Sequence, residues 1–363
     1  MDEILSLPER LDADLDLRGR GICVAFVDSG FFAHPDLVMP RRRLRAFADA
    51  TRPRPVLTDF LDPRPAAWHG TMTACAAVGS GHTSGGRYRG LASEADVVLI
   101  QAAGADGNID GALVASAIRF PLRYPKLGIR VLSVSLGVEP DDPYAEDVDK
   151  AVADVVASGV VVVAAAGNDP RVPPQPPASA RDAITVGGSD DQNTRDAGDD
   201  RIWPSSGGHR PGGVVKPDLV APACWLPAPM IPGTRTAREA AALHALREVL
   251  DEAAIAASFH PPAETNTEAD GSLQALIAAV TMRIERGKFV SSQHQHVDGT
   301  SFAAPITASV VAQMLEVHPK LTPKHVRDGL LSTAIPLPHV SRDVQGAGVL
   351  APRAAVAWAR ARR

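Results

Sequence analysis

Nearly continuous apolar runs constrain the fold of this chain more than any other feature of its sequence. The first covers Gly21 to Val27, and further runs lie at 95–101, 131–137, 159–168 and 183–187. Such runs are typical of strands that are buried on both faces, as in parallel sheets. Helical segments separate them along the chain. The alternation predicts a three-layer α/β/α fold with a mostly parallel central sheet.

The segments between the runs divide into predicted helices and predicted loops. Small and apolar residues predict helices near 72–78, 110–123 and 145–157. Residues 41–66 are rich in arginine and proline, and we expect an irregular loop there. Residues 1–20 form an acidic lead-in with scattered leucines, for which we expect a short helix on the surface.

A long segment at about 223–297 separates the last strand-like run from the C-terminal part of the chain. Apolar residues recur with helical periodicity at about 235–258 and about 270–286, which predicts a helical hairpin packed on the main core. Near its end, His294 and His296 share one face of a possible strand. A metal site would need a third ligand that the sequence does not identify, so we expect a solvated strand.

A serine follows glycine and threonine at the start of a small-residue helix, in the order Gly299-Thr300-Ser301. The helix N-terminus combines unpaired N–H groups with the positive end of the macrodipole. A nucleophile whose attack generates an oxyanion is favoured there. We expect Pro305 to lie in the first turn, which tolerates proline. Taken alone, the motif is only a plausible helix cap.

Three other polar residues occupy comparable positions. Asp28 ends the first apolar run, His69 opens a predicted helix, and Asn168 ends the fourth run. Open α/β sheets place their chemistry at the C-terminal ends of strands. Each residue taken singly is equally consistent with a turn or a structural role. For His69, we expect the helix dipole to disfavour the imidazolium and keep the ring neutral at rest.

Together, these four sites resemble the signature motifs of the subtilisin-like serine peptidases, the subtilase family. The chain order Asp, His, Ser also matches that of subtilisin. The resemblance covers roughly residues 21–222 and 297–360. The motifs that carry it are Val27-Asp28-Ser29-Gly30, His69-Gly70-Thr71, Ala166-Gly167-Asn168 and Gly299-Thr300-Ser301-Phe302-Ala303-Ala304-Pro305, supported by 31–37, 135–137 and 216–222.

The resemblance implies a role for each of the four residues. Ser301 would be the nucleophile and His69 its general base, which later donates a proton to the leaving amine. Asp28 would hold the tautomer of His69 and stabilise the imidazolium. Asn168 would donate its side-chain amide to the oxyanion, together with the backbone N–H of Ser301.

The resemblance also implies how a polypeptide substrate binds. Two backbone edges would pair with an extended peptide as an added strand and wall the pocket for the residue before the scissile bond. We therefore expect endopeptidase action on flexible segments. The residues assigned to these edges are Ser135, Leu136, Gly137, Ala164, Ala165, Ala166 and Gly167.

The sequence departs from the family pattern in two ways. Only 27 residues precede Asp28, so we expect an intracellular member without a cleavable pro-segment. The loop at 79–87 lacks carboxylates, unlike the family's structural calcium loop, so we expect no metal and no cofactor. We expect one peptidase domain over 21–363, with the inserted segment at about 223–297 and the lead-in at 1–20.

Composition restricts the partners and the compartment. A net charge of −5 gives no overall footprint for nucleic acid, and no apolar run approaches the roughly 18 residues of a membrane span. Three cysteines without metal spacing and the absence of a signal peptide favour a cytoplasmic, reduced location. We expect a polypeptide substrate, with no nucleic acid or membrane partner.

Two function classes follow. The leading hypothesis is a serine endopeptidase that acts through an acyl-enzyme. The alternative is a latent or non-catalytic protein that retains the subtilase fold for peptide binding or regulation. The inserted segment could be a lid, an exosite, an autoinhibitory element or surface decoration, and an activating or inhibiting protein partner stays possible.

Overall fold

The computed structural model describes residues 4–52, 60–64, 66–104, 107–209, 214–259 and 267–363. Its strands are β1 (Cys23–Asp28), β2 (Leu44–Asp49), β3 (Asp96–Gln101), β4 (Ile129–Val134), β5 (Val161–Ala165), β6 (Ile184–Asp190), β7 (Arg201–Trp203), β8 (Gly208–His209), β9 (Val215–Lys216), β10 (Leu219–Pro222), β11 (Leu226–Pro229) and β12 (His294–Val297). Its α-helices are α1 (Leu7–Arg10), α2 (Pro35–Val38), α3 (Ala67–Val78), α4 (Gly111–Ile118), α5 (Phe120–Arg123), α6 (Ala145–Ala157), α7 (Arg235–Phe259), α8 (Thr267–Arg286), α9 (Thr300–Val317), α10 (Pro323–Thr333), α11 (Arg342–Gln345) and α12 (Pro352–Arg360).

Eight strands form the central sheet, in the order β10-β6-β5-β4-β1-β3-β2, with β7 paired to β6. The ladders along this path are parallel, whereas β7 runs antiparallel to β6. Right-handed crossover connections are the standard way to join such strands, and they place helices over the sheet. The predicted, mostly parallel sheet is confirmed.

The central strand β1 shows why the apolar runs form buried strands. It pairs with β3 on one side and β4 on the other, and all six of its residues are buried. Val24 and Phe26 belong to the core on one face, and Ala25 and Val27 to the core on the other. Since successive side chains of a strand point to opposite faces, a continuous apolar run supplies both cores.

Helices cover both faces of the sheet. On one face, α9 packs against β4, β5, β6 and β10 and also against α3. On the other face, α4 and α6 pack against each other, with α6 on β5 and α4 on β1. This arrangement is the predicted three-layer α/β/α architecture. It also brings the N-termini of α3 and α9, each of which carries a predicted site residue, to the same region of the fold.

The expectation of an irregular loop over 41–66 was wrong in part. Residues Leu44–Asp49 form β2, the edge strand that pairs parallel with β3. Arg45 is exposed and pairs with Asp96 of the neighbouring strand at 2.7 Å. Charged residues are common on edge strands because one side of the strand faces solvent. Of the arginines that suggested a loop, Arg45 therefore belongs to an edge strand, while residues 53–59 and 65 lie outside the described residues.

The lead-in contains a short helix, α1, as expected, but this helix does not lie on the surface. Leu7, Leu11 and Ala13 are buried in the main core around α1. Arg10 is buried as well, and its Nε donates to Asp191 Oδ2 at 2.8 Å. A charged residue of this kind is buried only when it is paired. Its partner is remote in the sequence, so local pattern could not reveal the burial.

The inserted segment contains the predicted helical hairpin. Helices α7 and α8 pack against each other, and Ala240, Leu250, Val280 and Ile284 join the main core. Strands β11 and β12 pair antiparallel at the base of the hairpin, and β11 also packs on α3. The base of the insertion therefore lies against the helix that carries His69.

Two further observations concern membrane crossing and the cysteines. Within the described ranges, no helix combines the length and apolar character needed to cross a membrane. Cys23, Cys75 and Cys224 are free, buried thiols.

Candidate active site

Asp28 is the last residue of β1, and its buried carboxylate is held by several donors. Oδ1 accepts from the backbone N–H of Ser29 at 2.7 Å and lies 2.7 Å from His69 Nδ1. Oδ2 accepts from the hydroxyl of Thr73 at 3.0 Å. Since an ionised carboxylate only accepts hydrogen bonds, Nδ1 must carry the imidazole proton. Nε2 of His69 is then the free base.

Thr73 is a site residue that sequence reasoning missed. It lies four residues after His69 on the same face of α3, which was the available signal. Its hydroxyl also lies 3.0 Å from the carbonyl of Gly70, so its single proton is shared between two acceptors. Thr73 helps to orient the Asp28 carboxylate toward His69.

His69 is the third residue of α3, and its ring is about one quarter exposed. We expected the helix dipole to disfavour the imidazolium, but the structure gives the opposite direction. Burial lowers the pKa of His69, yet the charge of Asp28 and the hydrogen bond to it raise the pKa above its usual value of 6.5. The contact with Asp28 therefore outweighs the effect of burial on the pKa of His69.

Close approach of α3 to β1 depends on Gly70. A Cβ at this position would lie 2.3 Å from the carbonyl oxygen of Gly30 and 2.8 Å from Asp28 Cβ. Both neighbours are inflexible, so any side chain would push the helix away from the strand. The glycine after the histidine is thus required for the contact between His69 and Asp28.

Ser301 is the second residue of α9, and its side chain is partly exposed. The preceding Gly299 has a φ of 131°, a conformation that L side chains rarely adopt. Helices α3 and α9 pack together, and the ring of Phe302 lies 6.1 Å from the ring of His69, measured between centroids. The structure thus brings the segment that carries Ser301 to the His69 side of α3.

We expected Pro305 in the first turn of α9, but this expectation was wrong. Pro305 is the sixth residue of the helix. Because proline has no N–H, the carbonyl of Ser301, four residues earlier, has no intrahelical donor. The hydroxyl of Ser135 donates to that carbonyl at 2.9 Å. Ser135, assigned to the substrate edge, therefore also completes the helix that carries Ser301.

Asn168 faces the start of α9 across the site. Its Oδ1 accepts from the backbone N–H of Thr300 at 2.9 Å and from the Thr300 hydroxyl at 3.0 Å. That hydroxyl in turn accepts from the N–H of Gly167 at 3.1 Å. With the oxygen fixed, the amide nitrogen of Asn168 is the end without a hydrogen-bond partner among the described residues. Thr300 is a second residue that sequence reasoning missed, although it adjoins Ser301.

A cavity of about 400 Å³ opens beside Ser301 and Asn168. The predicted edge residues that line it are Ser135, Leu136, Gly137, Ala165, Ala166 and Gly167. Ala164, also assigned to the edge, does not line it: this residue is fully buried and pairs with both Val134 and Thr185 inside the sheet. A strand with neighbours on both sides offers no free edge, so the assignment of Ala164 was wrong.

The two histidines before Ser301 do not form the solvated strand that we expected. They belong to β12, but His294 is buried, with its ring 5.0 Å from the ring of Tyr88. Burial lowers the pKa of His294 to about 4, so the ring is neutral near pH 7. Across the described part of the chain, no group of three or more histidine, cysteine and acidic residues is arranged to hold a metal ion.

Known proteins share this sequence pattern. The profile described as the Subtilase family matches residues 19–352. Serine protease AprX of Bacillus subtilis is 28% identical over 345 residues, which is 92% of this chain and 66% of that protein. Subtilisin BL of Lederbergia lenta is 32% identical over 180 residues, or 49% of this chain and 60% of that protein.

A fungal relative matches a shorter stretch. Subtilisin-like protease 2 of Pseudogymnoascus destructans is 38% identical over 128 residues, which is 35% of this chain and 29% of that protein. This chain therefore spans less than two thirds of the length of each of the three curated relatives.

Proposed function

We propose, because this chain belongs to the subtilase family, that it hydrolyses peptide bonds within polypeptides as a serine endopeptidase. The observation that carries the proposal is the 2.7 Å contact between Asp28 Oδ1 and His69 Nδ1, which leaves Nε2 as a base. The raised pKa of His69 supports it further, since stabilisation of the imidazolium makes the neutral imidazole a stronger proton acceptor. Ser301, at the start of the helix packed against α3, is the proposed nucleophile.

The proposed reaction has two halves. In the first, Ser301 Oγ attacks the scissile carbonyl while His69 Nε2 takes the hydroxyl proton. The oxyanion of the tetrahedral intermediate accepts hydrogen bonds from the Asn168 amide and the Ser301 N–H. The intermediate collapses when His69 donates its proton to the leaving amine, and an ester to Ser301 remains. In the second half, water repeats the sequence and releases the acid.

Substrate binding on the acyl side follows from the cavity next to Ser301. Gly137 is exposed and lies beyond the end of β4, so its backbone is available to an extended peptide. Ala165 and Ala166 line the same cavity with small side chains, which leaves room for the residue before the scissile bond. A flexible polypeptide segment that adds as a strand is therefore the proposed substrate.

A fluorophosphonate probe with a reporter tag tests the assignment of the nucleophile. Wild-type protein should be labelled and Ser301→Ala should not. In peptide hydrolysis, Asn168→Ala should lower kcat by about 10²–10³ with little change in KM, a magnitude established for subtilisin itself. Labelling that persists in Ser301→Ala, or an unchanged kcat in Asn168→Ala, would contradict the proposed roles. Mass spectrometry of casein fragments then distinguishes endopeptidase from exopeptidase action.

The alternative, a latent protein gated by its insertion, makes a different prediction. In the described part of the chain, no residue of 223–297 lines the cavity beside Ser301, which favours an open acyl site. Deletion of 230–290 retains β11 and β12 and removes the hairpin. A large gain in labelling rate on deletion would support latency, whereas an unchanged rate would support the open enzyme.

A further inference from the structure

A second cavity, of about 550 Å³, opens beside Trp68, the residue that precedes His69. It lies between α3 and the base of the insertion, and six of the ten described residues that line it belong to the inserted segment. It shares no lining residue with the cavity beside Ser301. None of the roles assigned to Asp28, His69, Ser301 and Asn168 uses this second cavity.

The position of this cavity relates it to the leaving group. Trp68 lines it, and the Trp68 ring meets the ring of His69 edge-on at 5.3 Å between centroids. Met72, one helical turn farther along α3, forms its floor. In the proposed reaction His69 protonates the leaving amine, and the acyl side occupies the cavity next to Ser301. The chain that follows the scissile bond therefore runs past His69 toward Trp68.

The cavity walls are apolar and well supported. Met72, Met230 and Ile231 are buried residues that present side chains to it. Gln295 of β12 donates its side-chain amide to the sulfur of Met72 at 3.7 Å, which links α3 to the base of the insertion. An apolar side chain that entered this space would be removed from water at a preformed surface.

The charges at the rim are positive. Arg235, the first residue of α7, lines the cavity and is exposed. In the described chain it has no hydrogen bond or ion pair, whereas Arg64 on the opposite rim pairs with Asp62 at 3.2 Å. Among the described residues that line the cavity there is no aspartate or glutamate. A carboxylate next to an apolar side chain is the chemistry that complements such a rim.

We propose that this cavity binds the segment of the polypeptide substrate that follows the scissile bond, and selects an apolar residue next to an aspartate or glutamate. The inference rests on the proposed endopeptidase function. It assigns the insertion a role as a specificity element of the enzyme, with Arg235 as the residue that recognises the acidic side chain.

The test separates the acyl side from the leaving side. Peptide arylamides have no residue after the scissile bond, so their hydrolysis reports the acyl half alone and identifies the best acyl sequence. Internally quenched peptides then carry that acyl half, followed by a leucine and a neighbouring test residue, which is either aspartate or lysine. The test residue is placed in turn at each of the first three positions after the scissile bond. The readout is the ratio of kcat/KM for the aspartate peptide to that for the lysine peptide.

Wild-type enzyme should favour aspartate by about fivefold or more at one of these positions, and Arg235→Glu should lower the ratio by about tenfold. Arg235→Gln should give an intermediate ratio. Arg238→Glu is the matched control, because Arg238 lies in the first turn of the same helix without lining the cavity, and its ratio should equal that of wild type.

The possible failures are distinguishable. Absence of both arylamide hydrolysis and fluorophosphonate labelling in wild type would remove the proposed endopeptidase function. Hydrolysis of the arylamide together with an aspartate-to-lysine ratio near one would overturn only the role of the second cavity. An equal change of the ratio in Arg235→Glu and Arg238→Glu would also overturn it, since general electrostatics would then explain the preference.

Discussion

At the scale of residues, the proposed chemistry depends on which ring nitrogen of His69 carries the proton. Asp28 fixes that proton on Nδ1 and leaves Nε2 as the base. The same carboxylate raises the pKa of His69 against the opposing effect of burial. Thr73 and the N–H of Ser29 hold the carboxylate in place. Position and basicity of the imidazole therefore have one common cause.

The pH dependence of activity follows from this raised pKa. The proposed mechanism requires neutral His69, so kcat/KM should rise with pH and reach half its maximum above pH 6.5. Asp28→Asn removes the charge that raises the pKa and leaves the burial that lowers it, so the midpoint should move to lower pH. The residual rate should fall by about 10⁴-fold. A profile of kcat/KM from about pH 5 to about pH 9 checks both shifts.

The same pKa has a consequence of opposite sign for folding. Protonated His69 is stabilised by Asp28 in the folded state, so its contribution to the free energy of unfolding is complete below about pH 6.5 and is lost as pH rises through the folded pKa. A wild-type activity midpoint at or below pH 6.5, or an identical midpoint in Asp28→Asn, would contradict the assigned interaction.

At the scale of elements, a hydrogen bond that α9 lacks internally is supplied by the residue that follows β4. Pro305 deprives the Ser301 carbonyl of its intrahelical donor, and the Ser135 hydroxyl replaces that donor at 2.9 Å. Ser135 follows β4 directly, so this bond ties the turn that carries Ser301, the proposed nucleophile, to the sheet. Rigid attachment of that turn favours accurate placement of Ser301 against His69.

Loss of this bond should be measurable as stability. In a Ser301→Ala background, which prevents autolysis, Ser135→Ala leaves the Ser301 carbonyl unsatisfied and should lower the free energy of unfolding by about 1–2 kcal/mol. Pro305→Ala supplies an N–H to the same carbonyl, so Ser135→Ala should then cost less than about 0.5 kcal/mol. Urea unfolding of the four proteins gives the coupling.

Ser133→Ala is the matched control for this cycle. Ser133 lies two residues earlier, on β4, is also buried, and its hydroxyl has no partner in the described residues. Its removal should therefore cost nothing measurable or stabilise the protein. An equal cost of Ser135→Ala with and without Pro305 would rule out the proposed replacement of the helical bond.

At the scale of the whole molecule, the lead-in ties distant parts of the chain together. The buried guanidinium of Arg10 contacts Asp191 just after β6 and donates to the carbonyls of Cys224 and Trp225, where the insertion begins. Leu7 and Leu11 add apolar contacts to the core. The first residues of the described chain thus stabilise both the end of β6 and the base of the insertion.

Arg10→Met should therefore be strongly destabilising. It leaves the buried carboxylate of Asp191 without its cation, which costs about 3–5 kcal/mol when one partner of a buried pair is removed. Arg20→Met breaks an ion pair in which the arginine side chain is 57% exposed, so it should cost less than about 1 kcal/mol. Chemical unfolding in the Ser301→Ala background compares them, and equal costs would refute the structural role of Arg10.

Local periodicity and motif order were sufficient to predict the layers of this protein. Continuous apolar runs such as Gly21 to Val27 identify strands buried on both faces, and the two helices predicted at about 235–258 and 270–286 are present as α7 and α8. Four short motifs in a characteristic chain order indicated the subtilase family. Each run or motif consists of neighbouring residues, so it can be recognised directly in the sequence. The roles of the four site residues stay predictions.

Contacts between remote segments were decided only by the tertiary structure. Asp28 and His69 lie 41 positions apart, and the net direction of the His69 pKa depends on their contact. Three other features likewise depend on contacts between remote elements. They are the edge position of β2, the burial of Arg10 and the cavity between α3 and the insertion. Strand pairing, burial and pKa shifts depend on which surfaces of the protein come into contact. The local sequence pattern of one segment does not specify the segment that packs against it.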